Sequence, residues 1–193
     1  MSDAQDWRSR KRDATHQRID DAAMQLFRER GYDAVSVADI ATAAGVSVPT
    51  FYAHFPSREH IVMPMPTQEE VAQVLDVQPA DQPVSDRVRG AILTWLLAYG
   101  PEARAAVLDR WRVILASPTL RTRTAEFERM TTALVLNALP APADAEEEMT
   151  TRVVVAAMLS AYTQILFRWA ETDGKEPLED VAEAVLAALR RGL

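Results

Sequence analysis

The stretch Ser36-Val37-Ala38-Asp39-Ile40-Ala41-Thr42-Ala43-Ala44-Gly45-Val46-Ser47-Val48-Pro49-Thr50-Phe51-Tyr52-Ala53-His54-Phe55 decides the fold. Ser36, with Asp39 three residues on, reads as the capped start of a helix. Gly45 stops that helix and supplies the positive φ that a sharp turn between two helices requires. Ser47 caps the next helix, and Pro49 stands in its first turn, where a missing N–H goes unused. Val37, Ile40 and Ala41 give the first helix an inward face. Ala41 and Ala44 are small enough to let the second helix approach, and Val46 fills the corner. Phe51 and Phe55, four residues apart, pin the second helix to a core. The pattern predicts a helix-turn-helix over residues 36–55.

That packing leaves Val48, Pro49, Thr50, Tyr52, Ala53 and His54 facing outward. A recognition helix offers its N-terminal residues to base edges in the major groove. Thr50 can bond a phosphate or a base edge, and Tyr52 and His54 can reach phosphates. Val48, Pro49 and Ala53 carry no donors and can read only thymine methyls or DNA shape. The face holds no Arg, Lys, Asn or Gln, which excludes bidentate readout and sets a modest affinity per half-site. A hairpin that merely packs is the alternative this pattern leaves open.

Working outward, Ile19, Ala22, Ala23, Leu26 and Phe27 form one helical stripe ending near Gly31. Pro56-Ser57 closes the second motif helix and begins a short fourth one, broken by Pro64 and Pro66. Thr67 caps a helix to about Val77, and QPADQPVSD is a turn-rich linker. Further helices are expected at about 86–99, 102–116, 119–139, 145–172 and 178–191. The fold class is therefore all-α: an N-terminal three-helix head with the helix-turn-helix (residues 1–62) and a larger helical domain (63–193).

The chain of 193 residues is 48% hydrophobic and 25% charged, the balance of a globular protein with a real core. It has no cysteine, which removes disulfides, thiolate catalysis and Cys-based zinc sites. The N-terminus lacks the apolar run of a signal peptide. The apolar stretch Val153–Phe167 is shorter than a membrane span and reads as a buried helix, so no membrane partner is expected. Net charge is −7, but its distribution matters more than its sum. Residues 1–62 hold eight basic and nine acidic side chains, and the basic ones include the cluster Arg8, Arg10, Lys11, Arg12. An enzyme is poorly supported: His16, His54 and His60 all lie in the head, and no Gly-rich phosphate loop occurs. Glu146, Glu147 and Glu148 fit a solvated helix start. Neither a cofactor nor a metal site is expected.

Three segments resemble the tetracycline-repressor (TetR) family of bacterial regulators. They are I-x-x-A-A-x-x-L-F-x-E-x-G-Y at 19–32, V-S-V-A-D-I-A-x-A-A-G-V-S at 35–47, and P-T-F-Y-x-H-F-P-S-R-E at 49–59. The resemblance implies a DNA-binding head joined to an all-helical domain that dimerises and binds an inducer. It places Ser47, Thr50, Tyr52 and His54 at positions that touch DNA, with Val48 and Pro49 on the same face. Arg58 matches a lysine position that meets a phosphate. Ala38 departs from members that read bases from the first motif helix. Arg8, Arg10, Lys11 and Arg12 resemble N-terminal arms that some members lay along DNA.

In the larger domain, the pattern R-W-R-V-I-L-A-S-P-T-L-R-T-R at 110–123 resembles a subgroup with acyl-CoA-like ligands that includes mycofactocin-associated repressors. This suggests an amphipathic inducer. Trp95, Tyr99, Trp111, Phe127, Met130, Met158 and Tyr162 are the candidate pocket residues. Each alone reads equally as ordinary core. The last two helices are expected to form the seam of a homodimer, with Ala157, Ala161, Ala184 and Ala188 permitting close approach. A cytoplasmic location is expected, since the absence of cysteine fits a reducing compartment. An adaptor whose larger domain binds protein instead of a small molecule is the remaining alternative.

Overall fold

The computed structural model describes residues 2–192, with side chains described at Trp7 and over 9–191. Among the described residues every regular element is helical, and the chain divides into two compact units, Met1–Pro64 and Met65–Leu193.

The first unit opens with α1 (Ser2–Arg30), which begins well before the apolar stripe. Nothing in residues 2–18 breaks a helix, since that stretch has neither Gly nor Pro. Bonds four residues apart reinforce its exposed side, including Gln17 Nε2 to Asp21 Oδ1 at 2.9 Å and Gln25 Nε2 to Glu29 Oε1 at 2.9 Å. Its other side buries Ile19, Ala23, Met24, Leu26 and Phe27. A 3-10 turn (Tyr32–Ala34) leads to α2 (Val37–Ala43), α3 (Val48–Tyr52) and the short α4 (Glu59–Val62). Ile40, Phe51 and Ile61 are fully buried here, so the helix-turn-helix is held by the face that its sequence assigns inward.

The second unit holds α5 (Gln68–Asp76), α6 (Val84–Leu97), α7 (Pro101–Ala116), α8 (Pro118–Ala138), α9 (Ala145–Glu171) and α10 (Leu178–Gly192). Thr67 and Glu70 form a reciprocal capping box at α5. Ser117 separates α7 from α8: its hydroxyl accepts from Leu120 N at 3.2 Å, and Pro118 takes the first helical position. Asp144 caps α9 through Glu147 N at 2.8 Å, and the acidic run Glu146–Glu148 lies in the first turn, where the helix dipole favours it. Helix α9 packs against α6, α7, α8 and α10 and carries the core residues Val155, Leu159, Ile165, Leu166 and Trp169. By length and composition α9 could cross a bilayer, yet 44% of its apolar window is buried inside the protein, the mark of a core helix. The turn after α9 uses positive φ at Asp173 (59°) and Gly174 (71°), and Arg112 holds it by two bonds to Asp173 Oδ1, at 2.8 and 2.6 Å.

Candidate nucleic-acid interface

The geometry of the motif begins with its caps. Ser36 N donates to Asp39 Oδ2 at 2.8 Å while Asp39 N donates to Ser36 Oγ at 3.1 Å. The Ser36 hydroxyl, which donates to Asp39 Oδ2 at 2.5 Å, and then the Ser36 N–H hold the Asp39 carboxyl below its ordinary pKa. Gly45 has φ 64°, and the space where a Cβ would stand is open, so glycine is needed there for backbone reasons alone. Val46 N closes the turn on Ala41 O at 2.9 Å.

Helix α3 is only five residues long. Ser47 is exposed, but its hydroxyl is engaged: it accepts from Thr50 N at 3.1 Å and lies 2.7 Å from Thr50 Oγ1. Ser47 and Thr50 therefore present one joined polar pair. Val48 (38% exposed), Pro49 and Tyr52 (55% exposed) stand open to solvent beside it. The Tyr52 ring meets Phe51 edge-on, with ring centres 5.4 Å apart. Phe51 is completely buried, so the exposed aromatic is anchored by a buried one.

His54 lies just past the end of α3 and is half-buried. Its Nδ1 is buried without a hydrogen-bond partner. The ring centre is 5.9 Å from that of His16 on α1, and His16 stacks on Phe55 at 4.1 Å. Burial, then the charges of His16 and Arg12, hold His54 below the ordinary histidine pKa. The 38-residue separation of His16 from His54 hides this pairing from any local pattern in the sequence.

Arg58 is turned partly inward. Its Nη1 donates to Tyr32 O at 3.1 Å and to Val35 O, and its guanidinium lies 4.3 Å from the centre of the Tyr32 ring. The family resemblance implies a phosphate contact for Arg58; in the fold one end of its fork fastens the 3-10 turn to the start of α4. Burial chiefly raises the Tyr32 phenol, and the neighbouring Glu59 carboxylate adds to that. Burial alone would raise Glu59, but bonds from Ser57, its own backbone and Tyr32, with the Arg58 charge, bring it below the usual carboxylate value.

The basic cluster lies on the N-terminal half of α1 as helix, not as a loose tail. Arg10, Lys11 and Arg12 are exposed, and Lys11 Nζ lies 5.1 Å from the centre of the Trp7 ring; the Arg8 side chain lies outside the described residues.

In the second unit, burial above all raises the Tyr99 and Tyr162 phenols. Trp95 acts against that rise at both phenols as a hydrogen-bond donor, and the three side chains are half-buried. Trp111 meets Phe167 edge-on at 5.2 Å, and it packs, as Met158 does, against the core that surrounds α9. Phe127 is half-buried on α8. Met130 departs from the expected pocket set: it is 42% exposed on α8, because residues 125, 129, 130 and 133 share the solvent side of that helix. On α9, Ala161 is buried in the core and cannot line a seam; Met149, Val153, Ala156 and Ser160 are among its exposed positions.

A capped helix, a glycine turn and a short proline-bearing second helix with an open face define a helix-turn-helix DNA-binding protein. Residues 19–63 match the family described as bacterial regulatory proteins, tetR family, and residues 82–193 match the MftR C-terminal domain. The chain belongs to the tetR family of bacterial regulatory proteins. It is 31% identical over 117 residues to the putative mycofactocin biosynthesis transcriptional regulator MftR of Mycobacterium tuberculosis, covering 58% of this chain and 57% of that protein. It is 34% identical over 83 residues to the uncharacterized HTH-type transcriptional regulator YwcC of Bacillus subtilis, covering 43% of this chain and 37% of that protein. The chain thus matches 57% of the length of the first relative and 37% of the second. Among solved structures, NalD of Pseudomonas aeruginosa, the secondary repressor of the MexAB-OprM multidrug efflux pump, shares the fold with a TM-score of 0.58 at 22% identity, covering 94% of this chain and 98% of that one. The fatty acid degradation regulator FadR of Bacillus halodurans shares it with a TM-score of 0.52 at 21% identity, covering 90% and 93%. These relatives are regulators, not enzymes.

Proposed function

We propose that this protein is a ligand-responsive repressor that grips a palindromic operator as a homodimer. Each head sets Val48, Pro49, Thr50 and Tyr52 into the major groove, with Ser47, His54 and Arg58 near phosphates. The observation that carries this reading is Tyr52, held 55% exposed at the open face of α3 while the adjoining Phe51 is completely buried. A solvent-facing tyrosine on a rigid base suits contact with a duplex better than internal packing. The α1 cluster Arg8, Arg10, Lys11 and Arg12 lies along the backbone as a helical arm, adding sequence-independent affinity.

The dimer seam uses the exposed line Met149, Val153, Ala156 and Ser160 on α9 with Ala184 and Ala188 on α10. Met149 and Val153 are 63% and 62% exposed, large apolar groups that a second copy would cover. Two weak heads on one palindrome gain through effective concentration what one head lacks. The inducer is an acyl-CoA-like amphipath, taken up in the second unit near Trp95, Tyr99 and Tyr162. The match of residues 82–193 to the MftR C-terminal domain supports that class. The protein works in the cytoplasm.

Footprinting on the DNA flanking its own gene tests the operator reading. The expected result is protection of a palindrome that weakens with salt; no salt-sensitive, palindrome-specific protection overturns it. Release of that DNA by an acyl-CoA supports the inducer class. Retention with acyl-CoAs, together with release by a protein partner, favours the adaptor reading.

A further inference from the structure

All three histidines of the chain lie in the head, and two of them meet across it. His60 is accounted for locally, its Nδ1 lying 2.9 Å from Ser57 Oγ. The His16–His54 pair has no such local role. His16 comes from α1 and stacks on Phe55, while His54 follows the recognition helix directly. The His54 Nδ1 is buried and has no hydrogen-bond partner among the described residues. The charged or titratable groups facing His54 are Arg12 and His16, both on α1 and both positive when protonated.

We propose that DNA binding by this head is coupled to proton uptake at the His16–His54 pair, a proton-linked grip on phosphate. The inference rests on the reading of α3 as the DNA-facing helix. In the free head the ring is disfavoured as a cation by burial and by two neighbouring positive groups. A phosphate brought against this corner reverses the balance: it neutralises Arg12 and attracts an imidazolium. The complex then binds more protons than the separated partners, so affinity rises as pH falls. The change spans the interval between the lowered value of the free head and the restored value in the complex. It therefore lies from about neutral down into the mildly acid range. A phosphate-directed effect of this kind is independent of sequence, which fits a reading face without Arg, Lys, Asn or Gln.

The test uses the full chain and a mixed-sequence duplex of roughly 30 base pairs at low salt, where phosphate contacts dominate. Titration calorimetry in two buffers of different ionisation enthalpy reads protons taken up directly. The expected result is net uptake, with affinity per head rising about threefold to tenfold between about pH 7.5 and about pH 5.5. His54→Gln should still bind but lose most of the pH dependence. His16→Phe keeps the stack on Phe55 and removes one repelling charge, so the His54 ring protons in NMR should titrate at higher pH. Binding with zero uptake in both buffers overturns the proposal, as does full pH dependence in His54→Gln. A duplex that fails to bind at any of these pH values overturns the DNA-facing reading itself, and the linkage with it.

Discussion

The head and the second unit use their aromatic rings in opposite ways. In the head, Phe27, Tyr32, Phe51 and Phe55 are buried and meet in two pairs, with ring centres 5.0 Å apart for Phe27 and Tyr32 and 5.9 Å for Phe51 and Phe55. Only Trp7 and Tyr52 are left open. In the second unit Trp95, Tyr99, Trp111, Tyr162 and Phe167 are all half-buried, and Trp169 alone is sealed. A small unit must close its core completely to be stable, and it then acts through what remains outside. A larger unit, whose core rests on aliphatic residues along α9, can leave rings partly uncovered for an exchangeable occupant.

The sharpest way to break this contrast is Phe51→Ala. A fully buried phenylalanine at the centre of so small a core should cost about 3–5 kcal/mol. The expected outcome is loss of the head's amide protection in hydrogen exchange while α9 keeps its own. Equal loss in both units would show that the head does not depend on its own closed core. Arg58→Met comes next. It removes two bonds to backbone carbonyls and the contact with Tyr32, worth about 2 kcal/mol together. A drop in thermal stability without DNA identifies the fastening role. Unchanged stability with weakened DNA binding would assign Arg58 to phosphate alone.

Gly45→Ala follows. The place of the new methyl is empty, so the only penalty is the left-handed backbone, about 1–2 kcal/mol. Chemical denaturation should show that loss; a variant as stable as the parent would mean the turn can relax to negative φ. This position illustrates what the sequence carries well. Ser36, Asp39, Gly45, Ser47 and Pro49 act on backbone within four residues of themselves, so the turn and both caps were readable directly. The helices of the second unit were readable for the same reason, from Thr67, Ser117-Pro118 and Asp173-Gly174. The relations that escaped are those between distant residues. His16 finds His54 across 38 positions, and Arg58 finds carbonyls 23 and 26 positions upstream. Helix phase was legible only where the stripe was narrow. On α9 both sides are apolar, so sequence alone could not tell that Ala161 faces the core while Ala156 faces solvent.

The smallest effect addresses the half-buried rings. Trp95→Phe keeps an aromatic body on α6 but deletes the N–H donor that acts on Tyr99 and Tyr162. Burial raises both phenols, so they remain donors, and Trp95 is the donor side chain that acts on their oxygens. If the three rings form a self-sufficient network, its loss leaves two acceptors short and should cost about 1 kcal/mol. That loss would appear as a lower denaturant midpoint for the second unit with an unchanged slope. If the rings instead wait for an occupant, the free protein should hardly change, and the deficit should appear only in binding of an acyl-CoA. The first result is expected, because Trp95 acts on both phenols as a hydrogen-bond donor does, lowering them against the larger effect of burial. An inducer that docks here must then displace internal bonds, and its affinity should rise when Trp95 is replaced.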